Sequence, residues 1–144
     1  MTYTPRQVLL KFYEEEKKYT IAPPESRDFS AVAACFADDY YMEQSSALPW
    51  AGTYHGPDGM KSFLEKASQY VTIDVQEAEI FEAEGSDKVM VYCKVTFVAR
   101  ETGKADTFPM AQMARIDPEQ GLIKEIRAFY WDIRKLNEQI GFSN

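Results

Sequence analysis

Gly121-Leu-Ile-Lys-Glu-Ile-Arg-Ala-Phe-Tyr-Trp-Asp-Ile-Arg-Lys-Leu-Asn-Glu-Gln-Ile-Gly141 closes the chain and organises the reading of everything before it. The stretch follows a turn, Asp117-Pro118-Glu119-Gln120, and runs extended through Leu122, Ile123, Ile126 and Phe129. Three aromatics, Phe129, Tyr130 and Trp131, then stand directly before Asp132. A carboxyl beside apolar rings is disfavoured in its charged form, which makes Asp132 a candidate proton carrier near neutral pH. Asp is equally a preferred helix cap, so Asp132 also fits the N-terminus of a short helix over Ile133–Ile140. Residue chemistry alone leaves both roles open.

Working outward, the 144 residues suit one domain, 1–144, large enough for a real core. A 14% aromatic content points to a lined cavity or an aromatic core. The formal charge of −7 argues against nucleic acid, whose phosphates require a basic face, and against an anionic membrane surface. No apolar run approaches the roughly 20 residues that cross a bilayer. Met1-Thr-Tyr-Thr-Pro-Arg6 lacks the basic-then-apolar pattern of a secretion signal, so a cytoplasmic location is expected. Cys35 and Cys93 lie in apolar segments without metal-like spacing, and His55 is the only histidine, so no metal site is expected.

Thr4, Pro5 and Gln7 predict a helix start, with Val8, Leu9, Phe12 and Tyr13 as its apolar stripe and Glu14–Lys18 as a solvated run. After Ala22-Pro23-Pro24, Asp28 is expected to cap a second helix that buries Phe29, Val32, Ala33 and Phe36 and ends at Asp38-Asp39. Tyr40–Gln44 reads as a strand. Ser45–Gly56 reads as irregular, and Pro57-Asp58 opens a third helix with Met60, Phe63, Leu64 and Ala67 inward. From Val71 the apolar period becomes two, and it slips near Glu77-Ala78, the sign of a β-bulge. Strands over Val89–Ala99 and Thr107–Ile116 flank a hairpin at Glu101–Lys104. Helices grouped before an antiparallel meander give an α+β architecture. Its expected form is a cone: three helices on a strongly curved, mostly antiparallel sheet, with a C-terminal helix stub.

That order resembles the nuclear transport factor 2-like fold, and within it the SnoaL-like and ketosteroid-isomerase-like families. The resemblance rests on Phe36-Ala37-Asp38-Asp39-Tyr40-Tyr41-Met42-Glu43, on Leu48-Pro49-Trp50-Ala51-Gly52-Thr53-Tyr54-His55-Gly56-Pro57-Asp58-Gly59, and on the closing strand with Asp132 and Gln139-Ile140-Gly141. It implies acid–base chemistry inside the cone without a cofactor, and homodimerisation through the outer sheet face. It also implies an acid–base Asp at the end of the closing strand, where Asp132 stands. The isomerase-type acids correspond to Gln44 and Gln112, which hold an oxygen by hydrogen bonds but carry no proton. Members with a catalytic histidine make His55 a further candidate.

Glu43 and Gln44 are strand neighbours, so a regular pleat turns only one of them inward, and alternation with Tyr40 and Met42 favours Gln44. Trp50, Tyr54, Tyr130 and Trp131 are expected to wall the pocket, with Tyr13 as a hydroxyl donor from the first helix. The catalytic candidates are therefore Asp132, Glu43 and His55. The substrate-binding candidates are Tyr13, Gln44, Trp50, Tyr54, Gln112, Tyr130 and Trp131. The expected activity is cyclisation, isomerisation or dehydration of a small, apolar, oxygenated ring compound, polyketide- or terpenoid-like. Epoxide hydrolysis is a variant needing Glu43 as a second carboxylate, and a non-catalytic binding or accessory domain is the alternative.

Overall fold

The computed structural model describes residues 2–143. Met1 and Asn144, with the extreme ends of the expected 1–144 domain and the first residue of the segment read for a secretion signal, lie outside the described residues. The elements run α1 (Pro5–Ile21), a 3-10 turn (Pro24–Ser26), α2 (Ser30–Ala33), β1 (Phe36–Gln44), β2 (Gly52–His55), α3 (Gly56–Ala67), β3 (Val71–Glu82), β4 (Lys88–Ala99), β5 (Ala105–Asp117), β6 (Leu122–Tyr130) and α4 (Ile133–Ile140). The six strands form one open sheet in the order β2-β1-β6-β5-β4-β3. Neighbours are antiparallel except β1 and β6, which are parallel.

Local chemistry explains most of these boundaries. The Thr4 hydroxyl accepts from the Gln7 amide at 3.1 Å while the Gln7 side chain accepts from the Thr4 amide at 2.9 Å, closing the expected capping box on α1. The turn before β6 is tied by Asp117, whose carboxylate accepts from the amides of Glu119 and Gln120. The slip in β3 is a bulge between Gln76 and Glu79, with Glu77 at φ 52°. It bends the strand, and the sheet curls over α1 and α3.

Two expectations are corrected. The second helix is a single turn, and Phe36 belongs to β1 rather than to a helical face. The reason is non-local: Phe36 pairs with Ile123 of β6, and the Ile123 amide donates to the Cys35 carbonyl at 2.8 Å. The Asp28 carboxylate still accepts from the Ser30 amide at 2.9 Å, but it caps only that turn. The stretch read as irregular contains β2, an edge strand held by pairing with β1 from Tyr41–His55 to Gln44–Gly52.

The core lies between the helices and the inner sheet face, where β4 alternates strictly: Val91, Cys93, Val95 and Phe97 are buried while Tyr92 and Lys94 are exposed. α4 fastens one end of this core. Its Asn137 side chain donates to the Ala47 carbonyl at 2.8 Å, and its Gln139 side chain donates to the Phe97 carbonyl at 2.8 Å. Among the described residues, no helix is long and apolar enough to cross a membrane.

Candidate functional site

The inner sheet face carries one polar row. Gln112 on β5 pairs with Ala128 on β6, and Met42 of β1 pairs with Ile126, which brings Gln44 alongside Ala128 from the other side. Gln44, Ala128 and Gln112 all line a cavity under α1 and α3, together with Phe12, Trp50 and Phe97. Its volume for water-sized spheres is about 40 Å³, room for about three waters.

Both glutamines are buried and fixed by tyrosines. The Tyr13 hydroxyl donates to Gln112 Oε1 at 2.6 Å. The Tyr130 hydroxyl donates to Gln44 Oε1 at 2.8 Å and accepts from the Trp50 indole N–H at 3.0 Å. An indole nitrogen only donates, so the direction of this second chain is set by Trp50.

Glu16 enters the same cavity from α1, one turn beyond Tyr13. It is 7% exposed, and among the described residues no hydrogen bond or ion pair reaches its carboxyl. Burial therefore pushes the Glu16 carboxyl up to about 8. Burial also raises the hydroxyls of Tyr13, Tyr40 and Tyr130, and a charge on Glu16 adds to each. The Cys93 thiol is raised to about 11 by burial and then by Glu16. Of these groups, Glu16 is the one that exchanges its proton near neutrality.

The candidates named from sequence separate into two sets. Tyr13, Gln44, Trp50, Gln112 and Tyr130 come together at the cavity. Tyr54 is buried behind it, donating to the Trp50 carbonyl at 2.8 Å and packing edge-on to Phe63. Trp131 is 77% exposed and forms no wall. Asp132 is the N-cap of α4, its carboxylate accepting from the Lys135 amide at 2.9 Å, and it does not line the cavity. Glu43 points to solvent and pairs with Arg127 at 3.2 Å. His55 is exposed at the N-cap of α3, its ring 5.3 Å from that of Tyr41. The strand pleat accounts for Glu43, since Gln44 takes the inward position.

Glu16 was hidden in the charged run Glu14–Lys18. The signal that finds it is helical spacing: Leu9, Phe12, Tyr13, Glu16 and Thr20 follow i, i+3, i+4, i+7 and i+11, and all are buried.

An open, curved sheet wrapped on helices around a buried polar row is the nuclear transport factor 2-like fold. The family model of the SnoaL-like domain matches residues 24–126, and the chain belongs to this SnoaL-like family. Solved structures agree on the fold. A nuclear transport factor 2-like protein of unknown function from Burkholderia pseudomallei aligns at 18% identity and TM-score 0.75, covering 95% of this chain and 97% of that one. A proposed polyketide cyclase from Xanthomonas campestris pv. campestris aligns at 17% identity and TM-score 0.69, covering 94% and 93%. A proposed SnoaL-like polyketide cyclase from Shewanella denitrificans aligns at 15% identity and TM-score 0.69, covering 96% and 98%. No curated protein matches the chain.

Proposed function

We propose that the chain is a small-molecule acid–base enzyme in which Glu16 carries the proton. The observation that supports this most strongly is a buried carboxyl with no partner among the described residues, in a cavity lined by aromatic and amide groups, where burial pushes it up to about 8. In its carboxylate form, about one molecule in ten at pH 7, Glu16 takes a proton from a carbon next to a carbonyl. The C–H electron pair moves into the carbonyl, and the amide N–H of Gln44 or Gln112 donates to the oxygen where charge develops. Return of the proton to a second carbon completes an isomerisation. Attack of the same enolate on a second carbonyl closes a ring, and proton delivery to a hydroxyl expels water. The two relatives described as proposed polyketide cyclases favour the ring-closing variant. The epoxide-opening variant calls for a second carboxylate in the cone, and among the described residues Glu16 is the one carboxylate on the cavity walls.

The test is hydrogen exchange. In deuterated water, small enolisable ketones should lose α-hydrogen signal at a rate that rises with pH and levels off above about 8. Glu16→Gln should slow this exchange by about 10²–10⁴-fold. Exchange by the variant at the natural rate would remove Glu16 from the chemistry. The tight cavity supports a second reading, a binding domain without turnover, for which ligand-induced stabilisation without exchange is the signature.

The outer sheet face supports a homodimer. Phe81, Met90, Tyr92 and Phe129 are exposed there, and strand pairing places Phe81 beside Met90 and Tyr92 and Phe129 on either side of Ala111. Sedimentation at micromolar concentration should show a dimer, and Tyr92→Lys should shift it to monomer. A monomer for the natural chain contradicts this interface. The buried free thiols Cys35 and Cys93 support a reducing, cytoplasmic setting.

A further inference from the structure

Pairing between β1 and β6 stops at Met42–Ile126, but neither strand ends there. β6 runs on beside β5 as far as the Met110–Tyr130 pair. β1 runs on beside β2 to Gln44 and then leaves the sheet in a turn. There the Ser45 hydroxyl accepts from the Ala47 amide and the Ser45 carbonyl from the Leu48 amide, each at 3.2 Å. The two strands therefore part inside the sheet, beside Gln44 and Ala128. A surface groove of about 540 Å³ lies over the parting, walled by Glu43, Ser46, Thr53 and Arg127. Gln44 and Ala128 line this groove and also the cavity beneath it. Ala128 has the inward parity of Ile126, on a strand with neighbours on both sides. Ile126 is buried, yet Ala128 keeps partial exposure. Among the described cavity-wall residues, only Val75 and Tyr130 share that property with it.

We propose that small molecules enter and leave the cavity through the sheet itself, at the seam between β1 and β6, and that Ala128 sets the size that passes. Gln44 is the gate. Its Oε1 is held by the Tyr130 hydroxyl at 2.8 Å, while its Nε2 has only a thioether, Met42 Sδ at 3.4 Å, which is a weak acceptor. One strong hydrogen bond keeps the gate closed, and rotation of the Gln44 side chain opens it. On the outer face the Glu43–Arg127 pair spans the same two strands at 3.2 Å. Both of its side chains are well exposed, so this latch contributes little energy and yields readily. Beyond that pair the groove and the seam carry no charge, which suits slender, uncharged molecules; branched ones stop at Ala128. Phe129 borders the groove, and the rest of the apolar patch ascribed to a dimer lies away from it on β3 and β4. The route serves whatever chemistry the cavity performs and does not depend on the proton assigned to Glu16.

The test uses Trp50, which lines the cavity, as reporter and acrylamide as a small uncharged probe. The chain has two tryptophans, so Trp131→Phe leaves Trp50 as the sole indole. The rate at which acrylamide quenches its fluorescence then measures entry. Ala128→Val adds two methyl groups at the seam and should slow quenching about fivefold or more. Arg127→Ala releases the latch and should speed quenching by about two- to fivefold, the range for losing an exposed ion pair. Val75→Leu narrows the rival way in, at the edge strand β3, and should leave the rate as it is. Urea midpoints are read for each variant, because a loosened fold admits the probe anywhere. Unchanged quenching in Ala128→Val, slowing by Val75→Leu instead, or rates that simply follow the loss of stability would each overturn the proposal. Quenching too slow to detect in both the Trp131→Phe chain and its Arg127→Ala variant would do the same. Failure here leaves the reading of Glu16 untouched, and failure of that reading leaves the seam standing.

Discussion

Glu16→Gln is expected to be more stable than the natural chain above neutral pH, as well as inert in proton transfer. The Glu16 carboxyl has an ordinary value of 4.5 and rises to about 8 in the folded protein. Between those values the folded chain binds a proton that the unfolded chain releases. The stability of the natural chain is therefore full below about 4.5, falls as pH rises through the window, and is flat again above about 8. A shift of that size corresponds to a loss on the order of 5 kcal/mol across the window. Glutamine has nearly the same shape and does not ionise, so its contribution is independent of pH. Urea denaturation at about pH 5 and about pH 8 should show the natural midpoint falling with pH relative to the variant. Parallel midpoints would mean that Glu16 is charged in the folded state. The chemistry assigned to Glu16 thus carries a stability cost that grows with the fraction of carboxylate it supplies.

Trp50→Ala should be the most damaging single change at the site. Trp50 is 1% exposed, and its ring lies 6.3 Å from that of Tyr70 and 6.4 Å from that of Phe97. Removing it should cost about 3–5 kcal/mol, the range for truncating a buried large aromatic. It also removes the donor that directs the Tyr130 proton toward Gln44. Trp50→Phe narrows the comparison, since it keeps one aromatic ring while losing the N–H and the second ring of the indole. That variant should stay folded and lose about 1–3 kcal/mol for the missing hydrogen bond and the smaller ring. A denaturation midpoint for Trp50→Ala within experimental error of the natural chain would show that Trp50 is not a packed wall.

The parts of the fold legible in sequence are those set by local pattern. Strict alternation in Val89–Ala99 predicts a half-buried strand, and the phase slip at Glu77 predicts the bulge. Thr4, Pro5 and Gln7 announce α1 because a capping box is made by neighbours. What is not legible depends on distant partners. The start of β1 is decided by Ile123, and β2 exists because β1 offers it an edge. The site divides the same way. Pleat parity turns Gln44 inward over Glu43, and the aromatic and amide candidates converge as their strands dictate. Asp132 was compatible with either a cavity mouth or a cap, and the chain direction after Tyr130 sends Trp131 into solvent and Asp132 onto the α4 amides. Glu16 is not legible because its neighbours Glu14, Glu15, Lys17 and Lys18 look like one solvated surface. A charged run longer than a helical turn must still present one residue to the inner face, and here it is a carboxyl.

The assignment of the proton depends on Glu16 being a neutral acid inside the cone near neutral pH. Its most direct test is the titration of glutamate side-chain carboxyls by carbon-13 NMR, with Glu16→Gln identifying the resonance. The expected midpoint for Glu16 is about 8. A midpoint near the ordinary 4.5 would contradict the claim, and with it the assignment of the proton to this residue.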